Sequence, residues 1–588
     1  MVATVAAESG VDPGRTRSSR RLWSILLVAG YAVQVAWRLR LSLPQTGAVI
    51  HDDEDGYLLV ARILAGGPGA SLPSFSIMRP MGYPLLLAPI YWFAQQPVHV
   101  YVGVHIVNAL VSAANFPLLY LIGRRVLATG RAATAAVAFV LTALPALVFY
   151  SEYALTDVLL PVLLELFLLA VHAMLTGRRP ILAGVVAGFA AAYAANTHVR
   201  GLVILVALAG LLVVGAWRRW LPWSVTTAAA GGAAIVYVAG NAINRWLEGQ
   251  LFPGTGAFNV DSRAVGRITS LSGLFRVLGD GLGQIWYLCA STYGLAGLGL
   301  AAAIVMVLRR EGPRATRIVL GLTVLMNLGV AFATATGIPD EGRINKHFSG
   351  RYVSLFAGVW SLVALTTLAR ASWGRAALLV GGAAAIEVGS LGVAWLYAHR
   401  GFPHEKFISF DAADLSFLSH DYHRLHLVEP TLLSFGFMVG FVVLFARGRP
   451  VRVRGRSLLD ERHRLAVVGL GGLLVLSLAA VTSMTNWVTA GAQAAQYRPG
   501  PAELVRDAHV PVGSSVEEAA NVPWQINQRH QREVYWQRLV TFDPAGSPPG
   551  QPAYAIALDG WPGALYGYTA EIVVREADRP VWVVWRLR

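Results

Sequence analysis

The sequence has one cysteine, Cys289, two lysines, Lys346 and Lys406, and only 14% charged residues. A single cysteine excludes an intrachain disulfide and a cysteine-built zinc site. Soluble domains carry about a quarter charged residues. The shortage of charge therefore excludes an ordinary soluble enzyme, a disordered chain and a coiled coil. Against these absences stand 55% hydrophobic residues over 588 positions, with 60 glycines. A polytopic α-helical membrane protein is the class that fits. The net charge of +15 is almost all arginine. A basic balance raises the question of nucleic acid. Here the arginines cluster between apolar spans, where they act as topology signals, and no nucleic-acid partner is expected.

A membrane-crossing helix needs roughly 20 mostly apolar residues. Thirteen such spans are predicted, at 22–43, 99–122, 132–150, 157–176, 181–197, 200–217, 222–244, 284–308, 316–336, 353–369, 376–398, 431–446 and 465–484. The basic segment 1–21 has no cleavage site after a short apolar core, so the first span reads as an anchor with a cytoplasmic N-terminus. Every arginine-rich short loop, from Arg124/Arg125 to the run Arg447–Arg464, then falls on the cytoplasmic side. An odd number of spans places the C-terminus outside the plasma membrane. Segment 22–484 forms the membrane domain, and 485–588 a small extracytoplasmic α/β domain. In that domain Pro501–Arg506 suggests a helix opened by proline, and 553–558 and 581–585 suggest strands.

The larger loops all lie outside. The first contains His51-Asp52-Asp53-Glu54-Asp55-Gly56-Tyr57, four acids in a row directly after the first span. Residues 57–64 continue as an amphipathic segment expected to lie in the interface. Arg79-Pro80-Met81-Gly82-Tyr83-Pro84 follows, then an apolar stretch, 85–94, too short to span. Interfacial helices are therefore expected within 52–98. The loop 337–352 ends in Lys346-His347-Phe348-Ser349-Gly350-Arg351-Tyr352, and its cations run against the positive-inside rule. They either anchor the loop by snorkelling or clamp a phosphate.

Asp53-Glu54-x-x-Tyr57-x-x-x-Ala61-Arg62 resembles the first-loop motif of membrane glycosyltransferases of the GT-C fold. These include bacterial aminoarabinose and protein O-mannosyltransferases and actinobacterial cell-wall arabinosyl- and mannosyltransferases. The Pro-x-Gly-Tyr-Pro block and Ser151-Glu152-x-x-x-Thr156-Asp157 are similar too. The resemblance covers about residues 20–215, is weak over the later spans and is absent over the C-terminal domain. It implies a GT-C-like helical core, a polyprenyl-phosphate sugar donor and an acidic base in the first outer loop. Asp53 matches the family's pair best, and Asp52 is the alternative. Arg351-Tyr352 is similar to an Arg-Tyr pair that opens a late helix in such enzymes.

Sugar transfer from a polyprenyl phosphate needs a base near the acceptor hydroxyl, stabilisation of a cation-like anomeric centre, and cations on the departing phosphate. The expected phosphate ligands are Arg351, His347, Lys346 and Arg79. Asp157 and Glu152 are expected to orient the base or hold a divalent cation, Mg or Mn; helix capping is the other reading of Asp157. His198 and Arg200 either line the cavity or mark a turn. His420-Asp421-x-His423-x-x-His426 has a metal-binding composition. Glu165 and Glu387 lie inside spans, and Arg38 near the outer end of the first span. The expected function is an inverting glycosyltransferase acting on a cell-envelope glycan, glycolipid or protein at the outer membrane face. A transporter of lipid-linked or small solutes and a wall-binding scaffold are the alternatives.

Overall fold

The computed structural model describes residues 13–49, 51–72, 76–177, 179–254, 256–257, 261–338, 342–349, 351–446, 459–489, 508–574 and 581–588. The helix expected at Pro501–Arg506 lies outside the described residues, as does the side chain of Asp52. Among the described residues, nine helices are long and apolar enough to cross a bilayer, from Arg21–Ser42 to Leu465–Thr489. Two bent pairs raise that number to eleven if each is one span. The chain is thus a multi-pass membrane protein. Of the thirteen predicted spans, 200–217 and 353–369 form the shorter apolar helices Gly201–Trp217 and Ser354–Leu368.

Both bends have local causes. Arg131–Thr142 and Pro145–Glu152 meet at 70°. Pro145 lacks an N–H, and Leu144 before it is extended (φ −55°, ψ 139°), so the helix cannot run through. Leu271–Ser291 and Leu295–Leu308 meet at 112° across Gly294 (φ +79°). A Cβ at Gly294 would stand 2.3 Å from Met438 Cγ, so this turn needs glycine twice over. The last span runs five residues past its predicted end at 484, to Thr489, because the Thr485 and Thr489 hydroxyls donate to Glu152 (2.6 and 3.4 Å).

Arg38 packs inside the bundle. It is buried, and donates to Ser112 Oγ (2.8 Å), Gln34 Oε1 (2.6 Å) and the Thr142 carbonyl (2.9 Å). It joins the first span to two neighbouring helices, which satisfies a cation that would otherwise be costly at this depth.

The first-loop helix, His51–Leu64, turns its apolar residues to two separate packed surfaces. Tyr57, Leu58 and Ala61 enter the core of the bundle. Leu59, Val60 and Ile63 pack with Leu247, Leu251 and Phe252 from the end of the helix Trp223–Leu251. The third side, bearing Asp55 and Arg62, meets the β-strand-rich C-terminal region.

That region holds a five-stranded sheet of β1 (Val516–Ala519), β2 (Val540–Phe542), β3 (Tyr554–Leu558), β4 (Tyr568–Val574) and β5 (Trp582–Leu587), in the order β2-β1-β3-β5-β4. β2, β1 and β3 run parallel, while β3, β5 and β4 are antiparallel. The helix Trp524–Glu533 makes the crossover from β1 to β2 and lies against the first-loop helix.

Candidate functional site: two acids among three arginines

The acidic run opens the first-loop helix, where the macrodipole favours negative charge. Consecutive helical residues point about 100° apart, so neighbouring acids go to different partners. Glu54 is fully buried. It accepts from the Val49 N–H (2.7 Å), the Ala154 N–H (2.8 Å) and the Tyr101 hydroxyl. It ties the first loop to two other parts of the bundle. Asp55 accepts from Arg532 Nε in the C-terminal region. Asp53 is partly exposed, with 24% of its side chain open, whereas Glu54 and Asp55 are buried.

Asp53 Oδ1 accepts from Arg79 Nη2 (2.6 Å) and Oδ2 from Arg351 Nη1 (2.7 Å). Arg351 Nε also donates to Asp157 Oδ2 (3.0 Å). Arg200 Nη1 donates to Asp157 Oδ1 (3.1 Å) and lies near the carbonyls of Arg351 (3.2 Å) and Tyr352 (3.3 Å). Segments distant in sequence therefore close one alternating chain: Arg79, Asp53, Arg351, Asp157, Arg200. Aromatic faces support its cations. Arg79 lies 5.8 Å from the Tyr57 ring centre, Arg200 5.2 Å from that of Tyr352, and Arg351 6.0 Å from that of Phe410.

Among the described residues three guanidiniums face two carboxylates in this chain of contacts, an excess of one positive charge. Burial alone would raise the Asp53 carboxyl, but Arg79 and Arg351 outweigh it and hold the group well below the usual carboxylate range. Burial pushes His198 the other way, well below the ordinary imidazole value, and Arg200, Arg351 and Arg79 add to that effect against Asp53. A neutral His198 fits its contacts, because its Nδ1 accepts from the Arg200 N–H and Nε, both at 3.2 Å. Arg200 is 2% exposed, and among the described residues its Nη2 has no hydrogen-bond partner. A buried guanidinium N–H left open is expensive, which marks this end of the cluster as a place for an anionic oxygen.

The structure divides the residues expected to bind phosphate. Arg79 and Arg351 meet on Asp53, with Arg200 one step further. Lys346 and His347 belong to a different cluster: Lys346 Nζ lies 2.6 Å from Glu405 Oε1, and His347 bonds Asp280 Oδ1 (2.5 Å). Lys346 ends the short 3-10 turn Ile344–Lys346 and His347 caps it. Glu152 stands apart from Asp157. Extended backbone at Tyr153 and Leu155 separates the two, and Glu152 accepts from Gln45, Thr485 and Thr489 in its own buried pocket.

A divalent cation does not fit the carboxylates of the cluster. Asp53 and Asp157 each already hold two guanidiniums. Among the described residues no three His, Cys, Asp or Glu side chains converge as a metal site. In the histidine-rich segment, Asp421 instead caps a turn through the His423 and Arg424 N–H groups and pairs with His426 (2.9 Å). Asp414 accepts from the Tyr287 hydroxyl (3.0 Å), and burial pushes its carboxyl up to about 7. Glu387 accepts from Ser434 Oγ (2.9 Å), a structural bond inside the bundle.

No protein-family model matches the sequence, and no curated protein matches it. Among solved structures, the chain is similar to ArnT from Cupriavidus metallidurans bound to undecaprenyl phosphate. The TM-score is 0.54 at 15% identity, over 96% of this chain and 98% of that one. The same protein in the apo state gives 0.51 at 15% identity and the same coverage. A looser likeness, with a TM-score of 0.43 and 14% identity, is to the arabinosyltransferase EmbB from Mycobacterium smegmatis, over 84% of this chain and 43% of that one; it bears no weight here. The chain therefore has the fold of ArnT over 96% of its length.

Proposed function

We propose that this protein is a glycosyltransferase that moves a monosaccharide from a polyprenyl-phosphate donor to a cell-envelope acceptor at the outer face of the plasma membrane. The observation that supports the reading is the largely buried cluster of Arg79, Asp53, Arg351, Asp157 and Arg200, which among the described residues has one more guanidinium than carboxylates. The fold shared with a protein that binds undecaprenyl phosphate supports it. The topology belongs to the same proposal: thirteen crossings, counting Gly201–Trp217 and Ser354–Leu368, with the N-terminus cytoplasmic and the C-terminal domain outside. The acceptor class, a glycan, glycolipid or protein, and the reading of 485–588 as a separate domain belong to it too.

The geometry suggests an order of events. A donor phosphate seats on the open Arg200 N–H and competes with Asp53 for Arg351 or Arg79, since phosphate and carboxylate both suit the guanidinium fork. Each arginine drawn to phosphate frees an Asp53 oxygen and restores its basicity. The acceptor hydroxyl oxygen then bonds to the anomeric carbon. The bond from that carbon to the phosphate oxygen breaks, with its electron pair leaving on the phosphate, and the hydroxyl proton passes to Asp53. A single displacement inverts the anomeric centre. Asp157 keeps Arg351 and Arg200 in place, and no divalent cation is needed to neutralise the leaving phosphate.

Purified protein given radiolabelled polyprenyl-phosphate pentoses and hexoses, with an envelope extract as acceptor, should transfer label. Failure with every donor, alongside lipid movement across vesicles, would instead support a transporter. Lys346→Ala should stay close to wild type in binding polyprenyl phosphate, because its ammonium serves Glu405. A loss as large as that from Arg351→Ala would return Lys346 to the phosphate site.

A further inference from the structure

The C-terminal domain reaches the cluster through one helix. Arg532 Nε donates to Asp55 Oδ1, and both side chains are buried. Arg62 of the first-loop helix returns the contact, donating to the Gln531 carbonyl (2.6 Å) and the Val534 carbonyl (3.2 Å) at the C-terminal end of Trp524–Glu533. A cation there satisfies terminal carbonyls and the helix dipole. Between these two contacts the helices touch at Gly56. A Cβ on Gly56 would stand 2.8 Å from Arg79 Cγ and 3.1 Å from Gln528 Nε2. The C-terminal helix and Arg79 therefore pack over the same backbone position, three residues from Asp53.

A buried ion pair is a poor source of stability, because desolvation offsets the attraction. Its best-attested use is to fix register. Asp55 is two residues from Asp53 on the same helix, so a rotation or shift of that helix moves both carboxylates together. We propose that Arg532 is a positioning residue: through Asp55 it sets the first-loop helix where Asp53 meets Arg79 and Arg351. The C-terminal domain is then part of the apparatus that builds the phosphate site, not an appendage to it. The predicted effect on lipid affinity rests on the glycosyltransferase reading; the coupling between the helices does not.

The test uses the full chain in detergent or nanodiscs, with undecaprenyl phosphate as the probe. In Arg532→Ala, amide exchange across 51–64 should speed up while the β-sheet of the C-terminal domain exchanges as in wild type. Affinity for undecaprenyl phosphate should fall on the order of tenfold to a hundredfold, the scale of a small misplacement in a pre-organised site. Arg532→Lys should lie between the two. If the alanine variant folds poorly, Asp55→Asn replaces it, keeping shape while removing the charge. Unchanged exchange at 51–64 overturns the coupling. Faster exchange with wild-type affinity overturns the positioning role and leaves Arg532 as a domain fastener. Should wild type itself fail to bind the lipid, the glycosyltransferase reading falls, and exchange at 51–64 alone decides the coupling.

Discussion

Asp53→Asn should reduce sugar transfer to background while leaving the protein folded. Asparagine keeps the size of the side chain and one acceptor oxygen, so Arg79 or Arg351 retains a partner. What it loses is the negative charge and the place for a proton. Positioned acid–base catalysis is worth roughly 10²–10⁴-fold. Removing a charge that faces the cation-like anomeric centre should add to that loss. Binding should change in the other direction. With Asp53 neutral, the cluster's excess rises from one positive charge to two, and Arg79 and Arg351 no longer divide their attention between carboxylate and phosphate. Undecaprenyl phosphate should therefore bind Asp53→Asn at least as tightly as wild type. A split of this kind, activity lost and affinity kept or gained, separates a base from a phosphate ligand. A variant that turns over normally would reduce Asp53 to an arginine holder and remove the proposed mechanism.

Much of this cluster was legible in the sequence, but largely through resemblance. Asp53 stood out among four consecutive acids by its likeness to the GT-C first-loop motif, while the cations of 337–352 drew attention to Arg351 because they run against the positive-inside rule. Arg79, Asp157 and Arg200 had weaker signals, and the fold brings all five together. The partner of each side chain was not legible. His347 and Arg351 stand in one loop of the sequence, yet His347 meets Asp280 while Arg351 meets Asp53 and Asp157. Extended residues divide Glu152 from Asp157.

The docking helix was not legible at all. Trp524-Gln-Ile-Asn-Gln-Arg-His-Gln-Arg-Glu533 reads as a solvated surface helix, yet Asn527 through Glu533 are all buried. Their partners include Glu518 on the neighbouring strand, which takes His530 (2.5 Å) and Asn527, and Asp55 and Arg62 on a helix some 470 residues earlier. Burial of a polar helix depends on those distant complements, and no local pattern announces them.

Arg351→Ala should have the other large effect, because Arg351 is the one side chain bonded to both carboxylates of the cluster. Removing one partner of a buried pair costs about 3–5 kcal/mol when the remaining charge is left alone. Here Asp53 keeps Arg79 and Asp157 keeps Arg200, so the cost should fall below that range and the protein should fold. Function should suffer more than stability. The excess positive charge disappears, two carboxylates now face two guanidiniums, and an incoming phosphate meets a neutral cluster. Affinity for undecaprenyl phosphate and transfer should both collapse. Arg351→Lys should recover only part, since one ammonium cannot fork between Asp53 and Asp157. The acid limb supplies an independent check. In wild type the folded Asp53 carboxyl sits below its unfolded value of ~3.9. Its stabilising contribution is therefore full above that value and fades only as pH falls toward the lower folded value. Without Arg351 the folded value moves back up, so acid unfolding should begin at higher pH in Arg351→Ala than in wild type. An unchanged acid limb together with unchanged lipid affinity would show that Arg351 anchors the loop and does not hold the site.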